Sequence, residues 1–360
     1  MLESHNYIQK LKIKIKNKKP VVVLAPMADV TDQVFREMIS KYSKSYGPDI
    51  FWTEFVSADG LASPGRKVLQ KDLVFDKKNE RPIFAQIFGS RKENILKAIN
   101  LIYKLDFNGV DLNMGCPDRS IEKQKAGAAM MKDFMSTQEI LEATKKHIDK
   151  LNRKNTKKFF SFSVKTRIGY NKIEYEDWLP NILKFEPDIL TIHLRTRKEL
   201  SLVSAHWEIA KEVVSFIKKY SKKYKLKTPI IFLNGDVKNL KEAKAKIKLS
   251  KCDGIMIGRG VFGTPWLFNE KEYLKRLDQN IETKKGRDNI LFRLKVLMEH
   301  TKLFEKKLTK IKSFNIMKKH YKAYINGFDG AKDLRTELML AKDYKEVKNI
   351  CDSFIKNKLK

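Results

Sequence analysis

Along roughly the first 270 residues, short unbroken apolar runs alternate with longer stretches in which apolar residues recur every three or four positions. The runs are VVVLAPM (21–27), IFWTEFV (50–56), PIFAQIFG (82–89), GVDLNMG (109–115), FFSFSVKTRIG (159–169), ILTIHLR (189–195), PIIFLNG (229–235) and GIMIGRG (254–260). Most lack polar alternation, as expected of strands covered on both faces of a parallel sheet. The stretches between them read as amphipathic helices. TDQVFREMISKYS (31–43) opens on a Thr31-Asp32 pair suited to capping, and 136–151 opens on a Ser136-x-x-Glu139 capping box. Residues 93–105, 206–220 and 239–248 complete the set.

Eight strands, most followed by a helix, predict an α/β fold of the (β/α)8 or TIM-barrel type over residues 20–277. An open doubly wound sheet is the alternative, but no GxGxxG turn follows the first strand. Strand signals stop after Phe268, residues 278–289 read as a polar linker, and residues 290–360 read as a small C-terminal helical bundle. Asn326-Gly327 and Asp329-Gly330 mark a turn within it. Residues 1–19 read as a basic N-terminal arm, either a solvated tail or an added phosphate contact.

The charge sharpens this picture. The 75 Lys and Arg outnumber the 43 Asp and Glu, a net +32. Such a surface attracts polyanions, either nucleic acid or an anionic membrane, although richness in Lys, Ile and Asn throughout also points to compositional bias. Residues 281–360 hold 21 basic against 10 acidic side chains, so the excess is concentrated in the helical region. The three cysteines are scattered and odd in number, which excludes a disulfide framework or a zinc site by spacing, and no metal is expected. No run approaches the ~18–20 apolar residues of a membrane span. A cytoplasmic protein without a membrane partner is expected, with a monomer as its assembly.

In this barrel type the chemistry lies at the C-terminal ends of the strands. Those ends carry Pro26-Met27-Ala28, Gln86, Asn113 with Cys116, Lys165 with Arg167, His193 with Arg195, Asn234-Gly235-Asp236 and Gly258-Arg259. The last two turns suit a phosphate, since glycines admit backbone N–H groups and Arg259 brings a donor fork. Lys165 within an apolar run either meets an anion or reaches water at the strand mouth. Cys116, between Gly115 and Pro117, is either an inert core thiol or a thiol presented for acid or nucleophile chemistry. His193 either bonds a ligand edge or caps its strand.

The motifs APMADVTDQVFR (25–36), QIFGS (86–90), VDLNMGCP (110–117), KAGAAMM (125–131), VKTRIG (164–169), HLRTR (193–197), NGD (234–236) and IGRGVFGTPWLF (257–268) resemble, in order, those of the FMN-dependent tRNA-dihydrouridine synthases. The resemblance runs over about residues 20–340. It implies a barrel that binds FMN, uses NADPH as reductant and reduces specific uridines of tRNA to dihydrouridine, with Cys116 as general acid. It further implies flavin contacts from Pro26, Met27, Ala28, Gln86, Lys165, His193, Asn234, Gly235, Asp236, Gly258 and Arg259. On the tRNA side it implies Asn113 at the uracil, Arg167, Arg195 and Arg197 beside it, and Lys319, Tyr324 and Arg335 in the helical domain.

Two departures stand out: Leu194 where relatives carry a small residue, and KELSLVSAHW (198–207), which lacks the Tyr and Gly usual before the Trp. The resemblance places this loop on the RNA side, so the departure bears on substrate fit and not on flavin binding. The competing readings are an FMN barrel acting on a small pyrimidine and a catalytically idle RNA-binding protein.

Overall fold

The computed structural model describes residues 7–359; the first six residues of the basic arm and Lys360 lie outside the described residues. The chain forms two compact units, residues 7–27 with 49–258, and residues 28–48 with 259–359.

The first unit is a barrel of eight parallel strands: β1 (Val21–Leu24), β2 (Phe51–Ser57), β3 (Ile83–Phe88), β4 (Gly109–Met114), β5 (Ser161–Arg167), β6 (Ile189–His193), β7 (Ile230–Asn234) and β8 (Gly254–Ile257). The sheet runs from β2 in sequence order to β8 and on to β1. Backbone bonds from Asp49 N to Val22 O (2.9 Å) and from Leu24 N to Ile50 O (3.1 Å) link β1 to the start of β2 and close the ring. An open sheet would leave β1 or β2 as an edge, so the (β/α)8 expectation holds and the doubly wound alternative falls. Within this unit the helices Lys92–Lys104, Phe134–Lys154, Ala210–Lys223 and Leu240–Ser250 follow β3, β4, β6 and β7.

Register explains the apolar runs. Ile87, Leu112, Val164, Leu190 and Ile231 share one row across β3–β7, all buried. On alternate positions Val21, Val23, Trp52, Phe84, Ile189, Ile230, Phe232 and Met256 meet in one cluster drawn from six strands, which places them inside the barrel. Space for these rings comes from glycine. A Cβ on Gly109 would meet Phe84 at 2.5 Å, and one on Gly254 would meet Phe232 at 2.9 Å.

The same cluster takes in Tyr7, Ile8 and Leu11. From Tyr7 to Lys16 the basic segment is a helix with its apolar face buried in the barrel core, where sequence reading expected a solvated tail or a phosphate contact. Tyr7 packs edge-on to Phe84 at 5.8 Å, its hydroxyl donates to Asn108 O, and Lys14 pairs with Asp49 at 2.5 Å. Burying three such side chains contributes about 1.5–3 kcal/mol each, which outweighs leaving the helix in solvent.

Local signals differ from expectation at two further points. Asp133, not Ser136, caps the helix Phe134–Lys154, accepting from Ser136 N, because the helix starts two residues before the anticipated box. Residues 284–289 of the anticipated linker belong to the helix Lys284–Leu308, capped by Thr283.

The second unit is helical: Gln33–Ser43, Lys284–Leu308, Met317–Tyr324, Ala331–Leu340 and Tyr344–Phe354. The helix after β1, read in sequence as part of the barrel region, groups here. Asp32 caps it, Lys41 and Tyr42 both bond Glu299, and Phe35 stacks on His300 at 5.3 Å.

Candidate active site

Three rows of inward positions climb toward the C-terminal ends of the strands. The lowest pairs Gln86, Asp111 and Ser163; the next pairs Asn113 and Lys165; the uppermost pairs Arg167, His193 and Asn234. The barrel interior is therefore apolar below and polar above.

The lowest row is a closed hydrogen-bond set. Gln86 Nε2 donates to Asp111 Oδ2 at 2.6 Å, Ser163 Oγ donates to the other Asp111 oxygen, and Asn113 Nδ2 donates to Gln86 Oε1 at 3.1 Å. Burial pushes the Asp111 carboxyl up to about 6, against the pull of Ser163 and Gln86.

Cys116 sits in a turn held from three sides. Asn113 Oδ1 accepts from the N–H groups of Gly115 (3.2 Å) and Cys116 (2.9 Å), and Ala128 N donates to Cys116 O at 2.9 Å. Arg167 Nε donates to Gly115 O at 2.7 Å, while its Nη1 reaches Thr196 O and Leu200 O. Gly127, at φ +63°, has no room for a side chain, since a Cβ there would lie 2.8 Å from Cys116 O. Burial pushes the Cys116 thiol up from its ordinary value, so it holds its proton at neutral pH.

Lys165 stands one strand over, paired in register with Asn113. Among the described residues its ammonium has no hydrogen-bond or ion-pair partner, and burial lowers its pKa to about 8, with Arg167 adding to the effect. Part of the side chain stays accessible, so the charge faces a space that other atoms can enter.

The NGD turn is built by a buried arginine. Arg195, 2% exposed, donates to Asp236 Oδ2, to Val203 O at 2.7 Å and to His193 Nε2 at 3.0 Å. Asp236 Oδ2 also accepts from Ala205 N, and Trp207 Nε1 donates to Gly235 O, both at 2.9 Å. The divergent loop 198–207 thus supports this turn directly, where it was expected to concern the RNA side alone. Asn234 Nδ2 donates to Met256 O at 2.8 Å. Gly235 (φ +138°) has Ala205 2.6 Å from where its Cβ would stand, and Gly258 lies against Met27.

Several residues expected to touch substrate are engaged by the protein. Arg167 and Arg195 are buried and spend their donors on carbonyls, Asp236 and His193. Arg197 is paired with Glu122, beside Tyr170. Pro26 is buried and Met27 partly exposed at the end of β1. In the helical unit Ala28 and Arg259 are exposed, Lys319 pairs with Asp29 at 3.4 Å, and Arg335 Nη1 donates to Ile325 O. Tyr324, expected at an RNA surface, is fully buried with its hydroxyl 3.3 Å from His300 Nδ1; it is a core residue.

Sequence reading passed over Asp111, Ser163, Glu122 and the bonding of Ala205 and Trp207. Asp111 had a usable signal: it shares strand parity with Asn113 in VDLNMG, so both face inward. The other partners come from distant segments. Among the described residues no three His, Cys, Asp or Glu side chains cluster as a metal site, and no helix is long and apolar enough to cross a membrane.

Residues 23–359 match the family model for dihydrouridine synthase (Dus). The chain is 34% identical over 341 residues to a protein of Staphylococcus aureus (strain COL) named probable tRNA-dihydrouridine synthase, covering 93% of both chains. It is also 34% identical over 338 residues to probable tRNA-dihydrouridine synthase 2 of Bacillus subtilis (strain 168), covering 93% of this chain and 94% of that one. Among solved structures it is similar to the old yellow enzyme from Trypanosoma cruzi at 13% identity, covering 70% of this chain and 88% of that one with a TM-score of 0.42. With one family model spanning both compact units, and relatives matched over nearly their full length, the chain belongs to the dihydrouridine synthase family.

Proposed function

We propose that this protein reduces the 5,6-double bond of uridine in tRNA, with FMN as bound cofactor and NADPH as reductant. The observation that carries the reading is the pairing of an unpartnered cation, Lys165, with a protonated thiol, Cys116, through Asn113 at the mouth of the barrel.

The residues present fit a flavin phosphate ester. Among the described residues the Lys165 ammonium has no anion beside it, and its side chain stays partly accessible at the strand ends. Lys165 would hold the anionic edge of the ring, Gln86 and His193 its polar rim, and the Asn234-Gly235-Asp236 turn the ribityl and phosphate end. FMN, when bound, supplies the electrons that saturate the base.

The chain's own residues do the rest. Asn113 fixes the Cys116 turn through Oδ1 and keeps one Nδ2 hydrogen for a uracil carbonyl. Cys116 delivers the proton to carbon 5, a general-acid contribution of ~10²–10⁴ in rate. Arg167 and Arg195 act as positioning residues for the thiol and for the NGD turn. The target uridine leaves its stack to reach the strand ends, and the basic excess of the helical region, including Lys319 and Arg335, draws the RNA backbone.

The test is an anaerobic visible spectrum of the purified protein. Flavin bands that bleach with NADPH and return on adding unmodified tRNA support the reading. Bands that bleach and stay bleached move the substrate to a small molecule, and a protein that takes up no flavin overturns it.

A further inference from the structure

Arg293 lies on the buried stripe of the helix Lys284–Leu308, 4% exposed, between Ile290 and Leu297. Its Nη1 donates to Gln279 Oε1, while its Nε is buried without any hydrogen-bond partner. No carboxylate among the described residues pairs with it. Burial lowers its pKa only to about 10, so it remains cationic at neutral pH. An interior charge with no counter-charge and an orphaned donor is unfavourable unless something external completes it.

Beside it is a cavity of about 230 Å³ inside the helical unit, walled by Arg293, Gln279, Tyr273 and Arg276 among others, with no acidic lining residue. Arg276 is already neutralised, since its Nε and Nη2 both donate to Glu272 Oε1 and its Nη1 donates to Asn289. The volume is that of roughly eight waters at ~30 Å³ each, ample for a tetrahedral oxyanion.

We propose that Arg293 heads an anion site in the helical unit that takes a phosphoryl group. A guanidinium whose one side-chain partner is the neutral Gln279 matches an oxyanion, and a phosphoryl group has enough acceptor oxygens to meet Arg293 and the Tyr273 hydroxyl together. The group comes either from free phosphate or from the backbone of RNA. Nothing in this site rests on the uridine chemistry proposed above.

Equilibrium dialysis of the flavin-loaded protein with radiolabelled inorganic phosphate, at constant ionic strength in chloride, tests this. The wild type is expected to bind one equivalent saturably. Arg293→Met should bind at least tenfold more weakly while keeping its flavin, and should melt no lower than the wild type in the absence of phosphate. Should that variant fail to fold, Gln279→Ala, which releases the anchored Nη1, should weaken binding severalfold. Displacement of the label by tRNA assigns the site to an RNA phosphate, and failure to displace it assigns the site to free phosphate. No saturable binding, or equal binding by the variants and the wild type, overturns the proposal.

Discussion

Arg195 Nη1 lies 3.0 Å from His193 Nε2, and because a guanidinium only donates, that nitrogen must accept. The ring proton then resides on Nδ1, and His193 is held in one neutral tautomer. Asp236 in turn fixes the arginine, so the NGD turn acts on His193 through Arg195.

This relay predicts a defined imidazole signature. In nitrogen-15 NMR of labelled protein, His193 Nε2 should show the shift of an unprotonated ring nitrogen and Nδ1 that of a protonated one. Arg195→Met should mix the two tautomers, and Arg195→Lys should restore the wild-type pattern in part. Identical spectra for the wild type and Arg195→Met would exclude the relay.

The Cys116 proton has its own pH signature. With the thiol pushed above its ordinary range by burial, the protonated form required of a general acid persists at neutral pH and is lost only as pH rises through that elevated value. Because Lys165, lowered to about 8 by burial, must also keep its proton, uridine reduction should hold near pH 7 and fall as pH rises through about 8 and further into the alkaline range. Cys116→Ala should retain flavin and tRNA binding but lose ~10²–10⁴ in single-turnover rate. An unchanged rate would remove the thiol from the chemistry.

Asp111 should tie stability to pH. Its folded carboxyl titrates at about 6, against ~3.9 in the unfolded chain. The folded state binds the proton more tightly, so the contribution is present in full below ~3.9 and is lost as pH rises to about 6, where it levels off. The loss is about 2–3 kcal/mol. Urea denaturation of wild type and Asp111→Asn at pH 4, 5, 6 and 7 should show the wild type losing this amount relative to the variant. A constant difference across the series would contradict the assignment.

Gly235→Ala should damage the turn and spare the barrel. The new Cβ would meet Ala205 at 2.6 Å in a backbone conformation that alanine avoids. We expect FMN affinity to fall at least tenfold in fluorescence titration, with little change in the urea midpoint. Wild-type affinity would mean that the turn does not carry the cofactor.

Much of this molecule could be read before any coordinates. All eight strands were visible as apolar runs because a strand covered on both sides needs no polar face, and the grouping of Gln86, Asn113, Cys116, Lys165 and His193 at one end followed from their places toward the C-terminal ends of the strands. The role of the loop 198–207 was misjudged because nothing local in KELSLVSAHW reveals that Ala205 and Trp207 bond a turn some 30 residues on.

Local periodicity and motif order are carried by neighbouring residues, so elements, strand ends and family are properties of the linear chain. Partners are another matter. Tyr324 became core, the basic N-terminal helix became a plug of the barrel interior, and Arg195, expected at the substrate, bonds Asp236 and His193. Each depends on which distant segments are brought together when β1 meets β2 and the ring closes, or when the helices of the second unit pack. A side chain that is amphipathic or charged can satisfy itself in either setting, and only burial, donor geometry and the available counter-charge select between them.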